Sequence, residues 1–356
     1  METPAAKRVS PEKLKEFSTF ALQSVGLDEK DADTSAQVLV TTDTWGTFSH
    51  GTNHLRNYIK KIRAGGINPQ AKPQVILEGQ AWAIIDGHAA MGMVSACRAM
   101  EVAIEKARAD GIGMALVRNS NHFGAAGYYA NMAVEHDMIG IAMSNADPNM
   151  VAPGGRKSVI GNNPLAYAAP AGEEYPIFLD IALSATASTK IFGAKAKGNK
   201  VPEGWITDAD GLPTTEATNW PDVGSMLPMA GHKGYGLALL VEVLAGVLSG
   251  AGVTRQVKGW LYELSEGPGT GHSFIAIGVG KFMPIGTFKH RMDEMIRDIH
   301  ASPKAKGSER IWLPGEMEWE RRAVALKEGI LLPPIVLNSL AKLAKEVGRD
   351  FQEIFV

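Results

Sequence analysis

The chain has 356 residues, of which 45% are hydrophobic and 21% are charged, so it is long enough to bury a large core. Its 36 basic and 38 acidic residues give a formal net charge of -2, which argues against a protein that binds nucleic acid through a basic surface. A lone cysteine, Cys97, excludes a disulfide framework and a cysteine-built zinc site, and it suits the reducing cytoplasm. No apolar run is long enough to cross a bilayer, so we expect a cytoplasmic protein with no membrane partner.

The first seventy residues are predicted to be helical. Ser10-Pro11 is typical of a helix start, and apolar residues then recur at helical spacing over residues 14–25. Asp28 is predicted to cap a second helix that runs toward Thr44, and a third helix is predicted over residues 55–62.

From position 73 onward the pattern changes to alternating strands and helices. Two short apolar runs predict a β-hairpin over residues 75–85. The further predicted strands cover residues 112–117, 138–143, 176–180 and 274–279, and the further predicted helices cover 93–109, 125–135, 185–192, 236–248, 293–299 and 335–347. Residues 195–228 are predicted to form a long loop, which in a compact domain is usually functional or mobile. The alternation predicts an α/β fold.

Several common enzyme motifs are missing. The nearest match to the dinucleotide fingerprint GxGxxG is Gly111-Ile112-Gly113, which opens a strand and not a helix. There is no GxxxxGK[ST] phosphate loop and no GxSxG nucleophile elbow. The sequence therefore disfavours a Rossmann dehydrogenase, a P-loop enzyme and an α/β-hydrolase.

A dense polar cluster precedes the third predicted helix. Ser49 or Thr52 could cap that helix, but capping does not explain two histidines, His50 and His54. These histidines are four positions apart and could share a helix face, which leaves a metal-dependent hydrolase as an alternative. Because no glutamate stands at the HExxH position, we predict no metal site.

A second polar cluster follows the predicted strand at 112–117. Polar residues at the carboxyl end of a strand lie where open α/β sheets bind ligands. His122 is the best candidate for acid–base chemistry, since the ordinary pKa of histidine lies near neutrality. The alternative is a loop in which Asn121 only caps the next helix.

Two further segments could contact an anionic ligand. Several glycines and Lys233 precede the apolar helix predicted at 236–248. The glycines allow a ligand to approach the backbone closely, the helix start has free amides, and Lys233 adds a positive charge, so this segment could bind a phosphate group. Asp180 ends a predicted strand, where it could accept hydrogen bonds from ribose hydroxyls or cap a helix.

Together these segments resemble the malate/L-lactate dehydrogenase family that is unrelated to the Rossmann dehydrogenases. The family also includes ureidoglycolate, sulfolactate and diketogulonate dehydrogenases and a reductase of piperideine-2-carboxylate. The resemblance covers nearly the whole chain and rests on six motifs in the family's order and spacing: Ser49-His50-Gly51, Asn121-His122-Phe123-Gly124, Gly161-Asn162-Asn163-Pro164, Leu179-Asp180-Ile181-Ala182, Lys233-Gly234-Tyr235-Gly236-Leu237 and Leu313-Pro314-Gly315-Glu316.

The resemblance implies an NAD(P)-dependent oxidoreductase that transfers a hydride between nicotinamide and a 2-hydroxy or 2-oxo acid. It implies a non-Rossmann cofactor fold with a large mixed sheet, and a homodimer. It divides the chain into a helical part at 1–72, a cofactor-binding and catalytic region at 73–299, and a segment at 300–356 that packs with the N-terminal helices.

The resemblance also implies roles for individual residues. His122 matches the proton-transfer histidine, and Ser49 and His50 match a pair that lines the substrate pocket. His54 and Asn121 are the further predicted substrate contacts. The matching cofactor contacts are Ala146, Asp180, Ile181, Ala182, Lys233, Gly315, Glu316 and Met317.

Two features of the sequence bear on the substrate and the cofactor. His54 stands where the family often has an arginine that could fork a carboxylate, so a cyclic imino acid is the alternative substrate, and a catalytically silent NAD-binding homologue is a further alternative. We expect NAD rather than NADP because Asp180 would repel a 2′-phosphate. NADP stays possible because Arg156 and Lys157 could reach such a phosphate.

Overall fold

The helix starts predicted from the sequence are present in the computed structural model, which describes residues 6–355. Ser10 caps α1 (Pro11–Gln23) by accepting a hydrogen bond from the amide of Lys13 at 3.2 Å. Asp28 caps α2 (Glu29–Thr44) through the amide of Asp31 at 2.9 Å. A 3-10 turn at Thr52–His54 leads into α3 (Leu55–Arg63). The first five residues of the predicted 1–72 segment lie outside the described residues.

Seven strands form the main sheet. In spatial order they are β2 (Gln74–Glu78), β3 (Trp82–Asp86), β4 (Ile112–Ser120), β12 (Thr270–Gly278), β5 (Met138–Ser144), β8 (Leu165–Ala169) and β9 (Ile177–Ile181). The β3–β4 pair is parallel, and the other pairs are antiparallel. The sheet is therefore mixed, and the predicted α/β class is confirmed, as is the predicted hairpin β2–β3.

Short strand pairs and the remaining helices surround this sheet. The pairs are β1 (Lys7–Val9) with β13 (Ile330–Leu332), β6 (Met150–Val151) with β7 (Ser158–Ile160), and β10 (Ile206–Thr207) with β11 (Pro213–Thr214). The helices are α4 (Gly92–Asp110), α5 (Ala126–Val134), α6 (Ser188–Ala196), α7 (His232–Val241), α8 (Ile285–Ala301), α9 (Glu316–Glu328) and α10 (Pro334–Val347). The turns Glu242–Val247 after α7 are π-helical.

Several predicted elements differ from the observed ones. The helix predicted at 185–192 begins at Ser188, and the helix predicted at 236–248 begins at His232. Helix α8 begins at Ile285, well before the predicted 293. The sequence did not reveal α9 because only Glu316 and Ala325 of this helix are buried, so no apolar stripe marks it.

Close helix–sheet packing fixes the positions of the strand ends. A Cβ atom on Gly113 of β4 would lie 2.0 Å from the carbonyl oxygen of Ala103 in α4, and one on Gly140 of β5 would lie 2.2 Å from that of Ala130 in α5. Only glycine permits these approaches, so both helices pack directly on the strands that lead to the polar loops.

Both ends of the chain join the same core. Val9 of β1 pairs with Ile330 of β13, and buried residues from Val9 to Ile354 form one hydrophobic cluster with the sheet. The division into three segments stays a prediction. Within residues 6–355, no helix has the length and apolar character needed to cross a bilayer.

Candidate active site

The strands β4 and β5 bring two loops to the same edge of the sheet. Both are antiparallel to β12, which lies between them, so their carboxyl ends point the same way. Strand β4 ends at Ser120 and leads into Asn121-His122, while β5 ends at Ser144 and leads into Ala146. A predicted catalytic residue and a predicted cofactor contact therefore follow neighbouring strand ends.

A buried histidine in β12 connects these two strand ends. Nδ1 of His272 lies 2.9 Å from Oγ of Ser144, and Nε2 lies 2.8 Å from Oγ of Ser120. Its ring stacks on Phe123 at 4.5 Å with an interplanar angle of 3°. Burial lowers the pKa of His272 to about 3, so the ring is neutral at physiological pH. The only signal of this role in the sequence is a histidine within an apolar strand, which does not by itself predict a site residue.

One edge of His122 is fixed by hydrogen bonds. The phenol of Tyr58 donates to Nδ1 at 2.5 Å, and the amide of Gly124 donates to the same atom at 3.4 Å. Burial raises the pKa of Tyr58 well above its ordinary value, so the phenol keeps its proton and remains a donor. Burial also lowers the pKa of His122 well below its ordinary value. Since Nδ1 accepts two hydrogen bonds, the neutral ring carries its proton on Nε2.

Three further aromatic rings lie close to His122. The indole of Trp260 stacks on it at 4.1 Å with an interplanar angle of 8°, and the ring centroids of His50 and His54 lie 5.8 Å and 6.1 Å away. The structure thus brings the three predicted histidines together. Tyr58 and Trp260 were not predicted as site residues, because a helix pattern and an isolated loop tryptophan do not show which residue they contact.

The loop that carries Ser49 and His50 is held by a buried carboxyl group. Oγ of Ser49 lies 3.0 Å from Nδ1 of His50. Asp43 accepts a hydrogen bond from the amide of Thr52 at 3.1 Å, and a Cβ on Gly51 would lie 1.9 Å from its Oδ1. Burial raises the pKa of Asp43 to about 7. Glycine at 51 therefore allows the loop to pack directly on Asp43.

His54 and Asn121, the predicted substrate contacts, have other partners within the chain. Asn57 donates to Nδ1 of His54 at 3.0 Å, and burial lowers the pKa of His54 to about 4, so this side chain is a neutral group at pH 7. The amide nitrogen of Asn121 donates to the carbonyl oxygens of Ala89 at 3.1 Å and Ala90 at 3.0 Å, while its buried Oδ1 has no partner within the described residues.

Ala146 is linked to the apolar helix α7 through two side chains. Its amide donates to Oδ1 of Asn163 at 3.0 Å, and Nδ2 of Asn163 donates to the carboxylate of Glu242 at 2.8 Å. The same carboxylate accepts a hydrogen bond from the amide of Thr254 at 2.7 Å. The acidic residue that interrupts the apolar helix therefore fixes the Gly161–Pro164 motif next to Ala146.

Asp180 joins β9 to the helix that follows His122. Its Oδ2 accepts a hydrogen bond from the amide of Gly127 at 2.7 Å, so it caps the first turn of α5, and burial raises its pKa to about 6. Ile181 and Ala182 follow and lead to Leu183. The carbonyl oxygen of Leu183 accepts from the amide of Met229 at 2.9 Å, which brings this strand end next to the start of α7.

The start of α7 offers free donors. Among residues 6–355 no side chain caps this helix, and Lys233 in its first turn is exposed. An uncapped helix start with an adjacent cation suits a phosphate group. The residues present therefore fit the dinucleotide that the sequence predicts.

The segment from Gly315 to Met317 lies beside the start of β9. Gly315 has φ +95, and a Cβ there would lie 2.9 Å from the backbone of Phe178. The carboxylate of Glu316 already binds His300 at 2.7 Å and Arg310 at 3.2 Å, which leaves the exposed Met317 as the side chain of this segment that is open to a ligand.

His50 and His54, the two histidines that could have bound a metal ion, contact polar side chains of the protein. Nδ1 of His50 contacts Ser49, and Nδ1 of His54 contacts Asn57. Across the part of the chain that the structure describes, no group of three or more histidine, cysteine, aspartate or glutamate side chains is arranged to hold a metal ion.

Comparisons with known proteins agree with this architecture. The sequence profile described as malate/L-lactate dehydrogenase matches residues 9–341. A malate dehydrogenase from Pyrococcus horikoshii is 39% identical over 348 residues, which are 96% of each chain. The solved structure of a sulfolactate dehydrogenase from Methanocaldococcus jannaschii has a TM-score of 0.90 and 37% identity, and the match covers 98% of this chain and 99% of that one.

A second solved structure is also similar to this chain. It is a delta1-piperideine-2-carboxylate reductase from Pseudomonas syringae pvar. tomato, with a TM-score of 0.85, 30% identity, and coverage of 95% of this chain and 100% of that one. The predicted family, its non-Rossmann fold and its oxidoreductase class are thus confirmed. The chain belongs to the malate/L-lactate dehydrogenase family.

Proposed function

We propose that the protein catalyses reversible hydride transfer between a nicotinamide cofactor and carbon 2 of a small 2-hydroxy or 2-oxo acid. The observation that carries this proposal is the pair of hydrogen bonds on Nδ1 of His122, which leaves Nε2 as the atom that can exchange a proton with a substrate. His122 follows the end of a central strand, where α/β enzymes place their reactive groups.

The side chains around His122 define its part in the reaction. During reduction, Nε2–H donates a hydrogen bond to the oxo oxygen of the substrate and transfers its proton to the alkoxide as it forms, while Nδ1 takes up the proton that it shares with the phenol of Tyr58. Water returns a proton to this pair of side chains after the product leaves. The donors on Nδ1, from Tyr58 and Gly124, stabilise the electron density that remains on the ring. A neutral histidine suits this task because it acts as a donor without a fixed charge. His50, held by Ser49, orients the substrate or relays the proton.

The cofactor would be held by residues at the ends of β5, β9 and the start of α7. When bound, the nicotinamide supplies the hydride. Lys233 and the free amides of α7 would bind a phosphate group of the dinucleotide, and Asp180 would accept a hydrogen bond from a ribose hydroxyl. The segments at Ala146 and Gly315–Met317 would contact the rest of the dinucleotide. NAD is the proposed cofactor because the carboxylate of Asp180 would repel a 2′-phosphate.

A substrate panel tests the reaction. Purified protein is incubated with NADH or NADPH and a range of 2-oxo acids and cyclic imines, and the absorbance at 340 nm is followed. We expect loss of absorbance with at least one 2-oxo acid. If the protein binds NADH but oxidises it with no member of a broad panel, the protein is the catalytically silent homologue and the proposal is wrong.

Two histidine variants separate the proposed roles. His122→Asn should lower kcat by about a hundred- to ten-thousand-fold with little change in NADH affinity, the range expected for general acid–base catalysis. His50→Asn should raise the KM of the substrate at least as much as it lowers kcat. His136→Asn, at an exposed position, is the matched control. Near-parental rates in both site variants would contradict the assignment.

A cyclic imino acid is the second candidate substrate. The neutral state of His54 disfavours a dicarboxylic substrate, since this side chain lacks the permanent charge with which an arginine would bind a second carboxylate, and a cyclic imino acid has only one carboxylate. The similar structure named a piperideine-2-carboxylate reductase supports the same alternative. In the panel, faster turnover of cyclic imines than of all 2-oxo acids would favour it.

An exposed apolar surface on α7 and its π-helical extension supports a homodimer. Six of its apolar side chains are 39–62% exposed: Leu237, Leu239, Leu240, Val243, Val247 and Leu248. Exposed apolar side chains clustered along one helix are costly in water and typical of a permanent interface. We propose that a second copy of the chain covers it, and sedimentation equilibrium tests this directly. A cytoplasmic location stays a prediction.

A further inference from the structure

One face of α3 contacts both His122 and the loop that covers it. Tyr58 bonds to His122, and the side chain of Lys61, one turn further along the helix, is fully buried. The ammonium group of Lys61 donates to the carbonyl oxygens of Glu263 and Glu266, each at 2.8 Å. A buried ammonium is costly unless its hydrogen bonds are satisfied, so these two contacts hold the loop strongly.

The loop held by Lys61 carries Trp260. Its two ends are joined, because the amide of Lys258 donates to the carbonyl oxygen of Pro268 at 2.9 Å. Within the loop, the amide of Gly259 donates to the carboxylate of Glu263 at 2.7 Å. These bonds place the indole without burying it deeply, since Trp260 itself is only half-buried.

The indole packs against three side chains of the candidate active site. Its ring centroid lies 4.1 Å from that of His122, 5.0 Å from His54 and 5.2 Å from Tyr58. The indole therefore lies beside both the predicted substrate contact His54 and the predicted proton donor His122. A substrate that binds at His122 therefore meets an uncharged aromatic surface on the side where the indole covers the face of the imidazole.

We propose that Trp260 determines the size of the substituent that a substrate carries on carbon 2, and that Lys61 is the positioning residue that holds Trp260 in place. The inference rests on the proposed function and adds a substrate class to it: 2-oxo acids with small, unbranched substituents. A branched substituent would collide with the indole or displace it from His122. Differences of one or two methylene groups in such a pocket change kcat/KM by about 10- to 200-fold.

Kinetics with two substrates test this assignment. The kcat/KM values of pyruvate and 4-methyl-2-oxopentanoate are measured with saturating NADH, and the branched-to-small ratio is compared between variants. We expect Trp260→Leu to raise the ratio at least tenfold. Lys61→Met should raise it in the same direction, and Lys61→Arg, which retains donors, should restore part of the parental ratio. Trp82→Leu and Lys60→Met, at an exposed position on α3, should leave it unchanged.

The outcomes separate this inference from the proposed function. If the parent protein reduces no 2-oxo acid, the proposed function is wrong. If the parent is active but Trp260→Leu changes both kcat/KM values equally, the specificity assignment is wrong while the function stands.

The positioning role of Lys61 has a readout that does not depend on activity. The emission of Trp260 is obtained as the difference between the parent and Trp260→Phe, and its quenching by acrylamide is measured. Lys61→Met should increase this quenching at least twofold. Unchanged quenching would show that Lys61 does not hold the indole in place.

Discussion

The hydrogen bond between Tyr58 and His122 leads to a quantitative prediction for Tyr58→Phe. The substitution removes one oxygen atom from a fully buried ring and leaves Nδ1 of His122 with the amide of Gly124 at 3.4 Å as its remaining partner. Leaving a buried acceptor without a strong donor costs about 1–3 kcal/mol. The electron density on Nδ1 increases as Nε2 loses its proton, so this cost is larger in the transition state than in the resting enzyme.

The expected effect is therefore on turnover. At about 1.4 kcal/mol per factor of ten, a loss of 1–3 kcal/mol corresponds to a fall in kcat of roughly 5- to 150-fold. NADH affinity should stay within about twofold of the parental value, because the phenol contacts the histidine and not the proposed cofactor residues.

Steady-state kinetics and NADH fluorescence titration measure the two quantities. Tyr175→Phe is the control, since that tyrosine is 48% exposed. The unfolding free energy of both variants shows whether the fold is intact. A kcat within twofold of the parental value, or a loss confined to the KM of the substrate, would refute the assignment of Nε2 as the proton-exchanging atom.

Three further predictions follow from buried or exposed groups. Asp43 has a pKa of about 7 in the folded protein and 3.8 in the reference state, so it binds more protons when folded and stability falls as pH rises between these values. Between pH 5 and pH 8, the unfolding free energy of the parent, measured by urea titration, should fall by about 3 kcal/mol more than that of Asp43→Asn. An equal pH dependence of the two proteins would contradict this prediction. If the carboxylate of Asp180 repels a 2′-phosphate, Asp180→Asn should strengthen NADPH binding relative to NADH binding, so that the ratio of the NADPH to the NADH dissociation constant at pH 8 falls by about tenfold. An unchanged ratio would show that the ribose that carries the 2′-phosphate does not lie beside Asp180. Leu240→Glu should shift the protein toward monomer in sedimentation equilibrium, because it would place a charge in the proposed interface, whereas an unaltered mass would exclude this surface.

The sequence shows where the glycines that set the helix–sheet distance lie, but it does not show which groups approach them. Gly113 and Gly140 could be recognised as residues inside predicted strands, but only the structure shows the carbonyl oxygens of α4 and α5 that a side chain there would meet. The same holds for Gly51 against Asp43. A glycine indicates that something approaches closely, and the approaching group comes from a distant part of the chain.

Local chemistry in the sequence was sufficient for much of the fold and part of the site. Capping residues at Ser10 and Asp28 marked helix starts, apolar runs marked strands, and polar residues after a strand marked His122, because all these signals lie within a few positions of one another. Contacts between distant positions were decided by the tertiary structure alone. Tyr58 and His122 are 64 positions apart, and His272 lies 152 positions from Ser120. Their hydrogen bonds exist only because the sheet and α3 bring those positions together, and no periodicity or motif near either residue encodes its partner.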